Sequence, residues 1–170
     1  KLKKGLRGRH LIEAAELGRK HGIKVLKVYV ILGLPGETLE DVDELAEFSL
    51  QLQKIVPRVA LGASPFVPKL HTPLGDAEFT PIKTCEKHIK HLRKKLQGRV
   101  EIRSVSPRWA WIEYRLSQGG PEAGLAALEA WKNGGRFADW KRAFDEMKSG
   151  ERDALSHAAE HALWQPAGMR

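Results

Sequence analysis

The spacing of apolar and polar positions divides the chain into an alternating first part and a helical second part. Leu11, Ala14, Ala15 and Gly18 recur at helical spacing, and Gly22 stands where a glycine ends a helix, so His10 to His21 is predicted helical. Val28-Tyr29-Val30-Ile31-Leu32 is a nearly continuous apolar run, the pattern of a parallel strand covered on both faces. Gly33-Leu34-Pro35-Gly36-Glu37 breaks the run, and Thr38 with Asp41 forms an acidic variant of the capping pair that starts a helix. The buried stripe of that helix is predicted at Val42, Leu45, Ser49, Leu52 and Val56, with Glu40, Asp43, Glu44 and Glu47 facing water. Pro57 ends the helix, and Val59 to Ala63 reads as the next strand.

From Ser64 to Pro73 three prolines forbid helix and predict a long extended loop, a feature that in a compact domain usually carries function. Thr80 and Pro81 have the chemistry of an N-cap and a first helical residue. Ile82, Cys85, Ile89, Leu92 and Leu96 then form one apolar stripe, stopped by Gly98. Val100, Ile102 and Ser104 alternate with Glu101 and Arg103, which predicts a half-exposed strand near the edge of the sheet. Alternating helices and strands imply an α/β fold with parallel strands, open or closed into a barrel, and right-handed crossovers place sequence neighbours side by side. Beyond Pro107 the pattern is helical, at Arg108–Ser117, Glu122–Asn133, Phe137–Ser149 and Arg152–Leu163. All five tryptophans lie in this part and offer bulk for packing helices together and onto the sheet. The expected organisation is thus an α/β part over residues 1–105 and an α-helical tail over 106–170.

Composition narrows the class. With 170 residues, 42% hydrophobic and 29% charged, the chain supports one core with an appended helical unit, and it is neither disordered nor disulfide-rich. No apolar run approaches the roughly 20 residues that cross a bilayer, and the basic start is not followed by a signal-peptide core, so a cytoplasmic protein without a membrane partner is expected. The single cysteine, Cys85, excludes an internal disulfide and any thiolate cluster built within the chain, and the apolar stripe places it in the core. The chain opens on Lys1 rather than Met and runs into a helix with no evident domain start, which reads as a piece of a longer protein.

The net charge of +8 is localised, with eight basic residues and two acidic ones between Pro81 and Arg103. Lys83, Lys87, Lys90 and Lys94 share one helix face and are candidate contacts for RNA or another polyanion; a solvated helix face is the alternative. His88 and His91 lie beside that face and are expected as hydrated surface histidines.

In parallel α/β folds ligands sit at the carboxyl ends of strands, so the loops beginning at Gly33 and Ser64 should face one site. The first is neither a phosphate loop nor a GxGxxG turn, since it lacks the glycine spacing and the Lys-Ser/Thr pair. Lys27 to Thr38, with Leu39-Glu40-Asp41-Val42 after it, resembles the late-strand GLPGET segment of radical S-adenosylmethionine (radical SAM) proteins. Ser64-Pro65-Phe66-Val67-Pro68-Lys69-Leu70-His71-Thr72-Pro73-Leu74 is similar to the SPFVPKPHTP segment of the same group, many of whose members carry an N-terminal cobalamin-binding domain. The tail segments Ser106 to Trp111 and Gly134 to Trp140 are also similar to tails found there.

The resemblance implies the C-terminal part of a partial (β/α)6 TIM-like barrel, supplying about its fifth and sixth strands, followed by the helical tail. It implies an enzyme that, when complete, binds a [4Fe–4S] cluster and cleaves S-adenosylmethionine reductively to start radical chemistry. Ile31, Gly33 and Pro35 would line one side of the adenosyl pocket and Ser64, Pro65 and Phe66 the other. Glu37 departs by one residue from the group's GxIxGxxE spacing, so it is expected to stabilise the turn or the helix start rather than touch a ligand. The CxxxCxxC cluster motif is absent, which implies that the ligands lie upstream, that this polypeptide alone is inactive, and that its main partner is the missing N-terminal part of the same protein. A cobalamin domain could precede it. An open barrel would also expose an apolar flank and favour self-association. His157-Ala158-Ala159-Glu160-His161 matches the HxxEH pattern of inverted zinc peptidases, but two histidines without a third ligand do not make a catalytic zinc site.

Overall fold

The computed structural model of the protein describes residues 5–147. The sequence readings at Arg152–Leu163, at His157 and His161, at Trp164 and over the last residues of the Phe137–Ser149 helix lie outside the described residues. The elements are α1 (Gly8–Lys20), β1 (Val25–Leu32), α2 (Leu39–Ile55), β2 (Arg58–Pro65), α3 (Ile82–Leu96), β3 (Glu101–Ser104), α4 (Pro107–Gln118) and α5 (Glu122–Lys132). A further helix, α6, runs over 137–147. The described residues fall into two compact units, one up to Tyr114 and one from Arg115 onward, with the division inside α4.

In the first unit the three strands are parallel, in the order β1-β2-β3, so sequence neighbours are sheet neighbours. This α/β arrangement matches the alternation of the sequence, and three strands are what the described residues contain; a closed barrel is not among them. β2, between the other two, is the most buried strand, while β1 and β3 each have an edge unpaired among the described residues.

The core lies on one face of the sheet. Val59, Leu61 and Ala63 of β2 and Leu32 of β1 pack with Ala15 of α1, Val42, Ala46 and Leu52 of α2, and Ile89, Leu92 and Leu96 of α3. Leu26, Val28 and Val30 close the β1 side of that cluster. The α2 stripe differs from expectation at one turn: Ala46 is buried and Leu45 half-buried, because two adjacent small and large residues share the helix flank facing β2. Ser49 is buried there and donates its hydroxyl to the Leu45 carbonyl at 2.7 Å, which spares it an unpaired polar group.

Among the described residues the opposite face is uncovered. Val25, Lys27, Tyr29 and Ile31 of β1 are exposed, Tyr29 by 82%. The expectation that the apolar run is covered on both sides is therefore corrected to strict alternation, since helices pack on one face alone in the described structure. Tyr29 leans over Gly62 of β2, where an added Cβ would meet the ring at 2.7 Å, so the glycine leaves the groove in which the ring rests.

Starts and stops of helices follow the sequence with one exception. Thr38 donates its backbone N–H to Asp41 Oδ2 at 2.7 Å and so caps α2 as expected. Thr80 does not cap α3: Pro81 is the N-cap, and the Thr80 hydroxyl is engaged elsewhere. Asp43, expected to face water, accepts from His91 Nε2 at 2.6 Å and pairs with Lys95 at 3.0 Å. The His91 hydrogen bond and then the Lys95 ammonium hold its carboxyl below the usual range.

In the second unit the buried side of α5 is built on alanine, while Phe144 of α6 is fully buried. Ala123, Ala126 and Ala130 are the buried residues of α5, while Trp131 is 73% exposed. Trp140 stacks on Phe144 within α6 at 5.9 Å between ring centroids. Asp139 accepts the Arg136 backbone N–H at 3.0 Å and the guanidinium of Arg142 at 2.9 Å, an arrangement that fixes the start of α6. The hydrogen bond from the Arg136 side chain, first, holds the Asp139 carboxyl below its usual range. Among the described residues no helix is long and apolar enough to cross a membrane.

Candidate functional site

The carboxyl ends of β1 and β2 meet. Ile31 is paired with Ser64 and Leu32 with Pro65, and the next residue, Phe66, donates its N–H to the Leu32 carbonyl at 2.7 Å. The loops that begin at Gly33 and Ser64 therefore leave the sheet side by side at the same end, as their sequences predict. On the far side of β2 the Val105 N–H reaches the Ala63 carbonyl at 2.9 Å and brings the end of β3 alongside.

The residues expected to line a pocket divide by strand parity. Ile31 and Ser64 share the uncovered face. Phe66 follows half-buried and Pro35 stands exposed in the turn. Pro65 does not join them, because alternation gives it the parity of Ala63 and buries it toward the helices. Below Ile31 and Ser64 the same face forms a concavity of about 230 Å³ lined by Lys27, Tyr29, Gly62, Ser64, Arg103 and Val105 among others. Arg103 and Arg58 both bind the Glu101 carboxylate, at 2.6 and 2.8 Å, and the Arg58 bond foremost keeps that carboxyl acidic. The Ser64 hydroxyl has no protein partner among the described residues, so it is available to a ligand.

The turn after β1 is held from beneath by a small buried network. Gly33 sits at φ +79, a left-handed conformation, and an added Cβ would lie 3.2 Å from Thr80 Cβ and 3.3 Å from Cys85 Sγ, so glycine is required for both backbone shape and space. Glu37 folds back under the turn: Oε1 accepts the Gly33 N–H at 2.8 Å and Oε2 the Leu34 N–H at 3.4 Å. His88 Nδ1 lies 2.9 Å from the same Oε1, with side-chain exposures of 7% for His88 and 9% for Glu37. Because both carboxylate oxygens already accept backbone N–H groups, the arrangement assigns the shared proton to His88 Nδ1 as donor. Thr80 completes the network by donating its hydroxyl to the Gly33 carbonyl at 2.8 Å.

Glu37 thus stabilises the turn, as its position suggested, whereas His88 belongs to the core and not to the hydrated surface. His88 is three residues from Cys85 and four from Leu92, both on the buried stripe, and that spacing was the available signal. Cys85 is buried as expected; burial first, then the nearby Glu37 charge, pushes its thiol up to about 11, which leaves it protonated and unreactive at neutral pH.

The second loop is anchored at two points in the first unit. Phe79 stacks on Tyr114 at 5.4 Å, and Lys69 pairs with Glu113 at 2.5 Å. Among the described residues no three His, Cys, Asp or Glu side chains come together as a metal site. Lys83, Lys87, Lys90 and Lys94 lie exposed on α3.

No family model matches the chain, and no solved structure matches it. Over 96 residues, 56% of its length, it is 33% identical to an uncharacterized protein of Methanocaldococcus jannaschii, and the match takes in 21% of that protein. The chain spans about a fifth of the length of this relative.

Proposed function

We propose that the uncovered sheet face at the carboxyl ends of β1 and β2 is one wall of an adenosyl pocket in a radical SAM enzyme, of whose partial (β/α)6 barrel this chain forms the C-terminal part. The observation that carries the reading is the parallel register bringing Ile31 and Ser64 together, with the resembling GLPGE and SPF segments leaving the sheet beside each other. In an α/β barrel the helices lie outside and the alternate side chains line the interior. Helices on one face only, with Tyr29 and Ile31 bare on the other, fit a barrel wall seen without its remaining strands.

The chemistry of the two strand ends fits complementary parts of an adenosyl group. Both N–H groups at the β1 turn are taken by Glu37 and the Gly33 carbonyl accepts from Thr80, so this end offers apolar contact through Ile31. The β2 end offers the partnerless Ser64 hydroxyl and the half-buried Phe66 ring. The described residues do not fit the [4Fe–4S] cluster: Cys85 is alone and buried, and ligands would come from the upstream part of the protein. A cluster held by the upstream part would supply the single electron that cleaves the sulfonium into methionine and a 5′-deoxyadenosyl radical, and no residue of this chain takes part in that step. The role of this chain is to bind and orient the adenosyl end and to exclude water from it.

Anaerobic reconstitution with iron and sulfide tests the reading. The 170-residue chain should remain colourless, whereas the full-length protein should take up about four irons and release 5′-deoxyadenosine from S-adenosylmethionine under reduction. A full-length protein that holds no cluster overturns the proposal, as does a brown, four-iron species on this chain alone.

A further inference from the structure

The basic residues around α3 fall into two states. Arg93 donates to the Ser104 hydroxyl at 2.9 Å, and Lys95 pairs with Asp43 at 3.0 Å. Glu86, within one turn of both Lys83 and Lys90, lies instead 3.8 Å from Arg108. Lys83, Lys87, Lys90 and Lys94 are exposed and have no ion-pair partner among the described residues. Their spacing puts them within an arc of about 60° and along about 16 Å of helix. Cys85, His88, Ile89, Leu92 and Leu96 are buried on the opposite side, so the lysines point outward on a helix that cannot roll. Adjacent lysines one turn apart repel each other, and a polyanion relieves that repulsion.

We propose that this lysine face binds the phosphodiester backbone of a nucleic acid, without base recognition; the inference does not depend on the radical SAM reading. A membrane-surface helix needs apolar side chains beside its cations to enter the interface. Every exposed position of α3 is polar, since Glu86, Arg93 and Lys95 are the other members of that surface. A protein partner is disfavoured for a related reason: stable protein interfaces are centred on apolar and aromatic anchors and depleted in lysine. A row of point charges without aromatic neighbours suits a phosphate chain and cannot read bases, which requires stacking platforms or forked donors.

The test is fluorescence anisotropy of the 170-residue chain with labelled oligouridine and oligothymidine of roughly 20 nucleotides, a length that covers the face several times over. The two probes should bind alike. Binding should weaken from about 50 to about 200 mM salt with a log–log slope near −3, as expected for four contacts to a single strand. Changing Lys83, Lys87, Lys90 and Lys94 together to Gln should abolish binding, and Lys87→Gln alone should reduce the slope by about 0.7. A control with Lys20, Lys24, Lys54 and Lys132 changed to Gln removes equal charge and should retain most of the affinity. Equal loss in the control, unchanged binding in the α3 variants, no binding at the lower salt, or binding to phosphatidylserine vesicles but to neither oligonucleotide would each overturn the proposal.

Discussion

The two faces of the sheet share one backbone and differ in everything that meets them. On the helix side, Leu61 is 1% exposed and Leu92 of α3 is fully enclosed; on the other side, Tyr29 is 82% and Ile31 36% exposed. Neighbouring residues of one strand thus serve different ends, stability on one face and a surface open to a ligand or to further strands on the other. An apolar run of β-branched and aromatic residues therefore does not by itself mean burial on both faces. It means two apolar faces, of which the described residues cover one.

The comparison predicts unequal costs for truncation. Leu92→Ala, in the enclosed face, should destabilise the chain by about 3 kcal/mol in urea unfolding, from lost transfer energy and the cavity left behind. Tyr29→Ala should cost less than about 1 kcal/mol, because most of that ring is already in water. Equal costs would break the distinction between the faces.

The Glu37 network joins the end of β1 to the covered side, and its loss ranks next. Glu37→Ala leaves the Gly33 and Leu34 N–H groups and His88 without their acceptor, and should cost about 2 kcal/mol. The same change should move the Gly33 and Leu34 amide resonances while sparing those of β3. A Glu37→Ala variant with parental stability would mean that the turn is held by Thr80 alone.

Cys85 reports on enclosure through pH. Its thiol is raised from 9.0 to about 11 in the folded chain, so the folded state holds a proton that the unfolded state releases. The protonated core is fully compatible with folding below the unfolded value, and stability should fall as pH rises from 9 through 11. Cys85→Ala should remove that part of the alkaline slope, and the parent thiol should resist iodoacetamide until the chain is unfolded. A native thiol alkylated rapidly at neutral pH would contradict its burial.

The smallest effects are expected at single bonds and at the bare face. Thr80→Val removes one hydroxyl bond to the Gly33 carbonyl and should cost about 1 kcal/mol. Gly62→Ala introduces a contact with the exposed Tyr29 ring, which can swing into solvent, so a loss below about 0.5 kcal/mol is expected. The loss should vanish in the Tyr29→Ala background.

Elements were legible where a local rule acted alone. The start of α2, the glycine stops, the parallel strand order, the burial of Cys85 and the meeting of the Gly33 and Ser64 loops all follow from periodicity, capping and crossover handedness. What was not legible depended on partners distant in sequence. Thr80 has the chemistry of a cap, but the Gly33 carbonyl, 47 residues away, takes its hydroxyl. His88 and His91 lie in a strongly basic stretch, yet Glu37 and Asp43 draw them against α2 and the turn before it. The tryptophans suggested bulk packing, while small alanines set the buried side of α5. Of the candidate pocket residues, strand parity pairs Ile31 with Ser64 and sends Pro65 to the other face, a distinction that needs the register and not the motif.

In the proposed pocket Ile31, on the uncovered face, touches an adenosyl group. Titration of S-adenosylmethionine into the reconstituted full-length protein, parent and Ile31→Lys, tests it most directly, since the substitution places a charge on an already exposed side chain and leaves the enclosed core intact. The account predicts at least a tenfold weaker Kd, about 1.4 kcal/mol, at unchanged iron content; an Ile31→Lys protein that binds S-adenosylmethionine as tightly as its parent would contradict it.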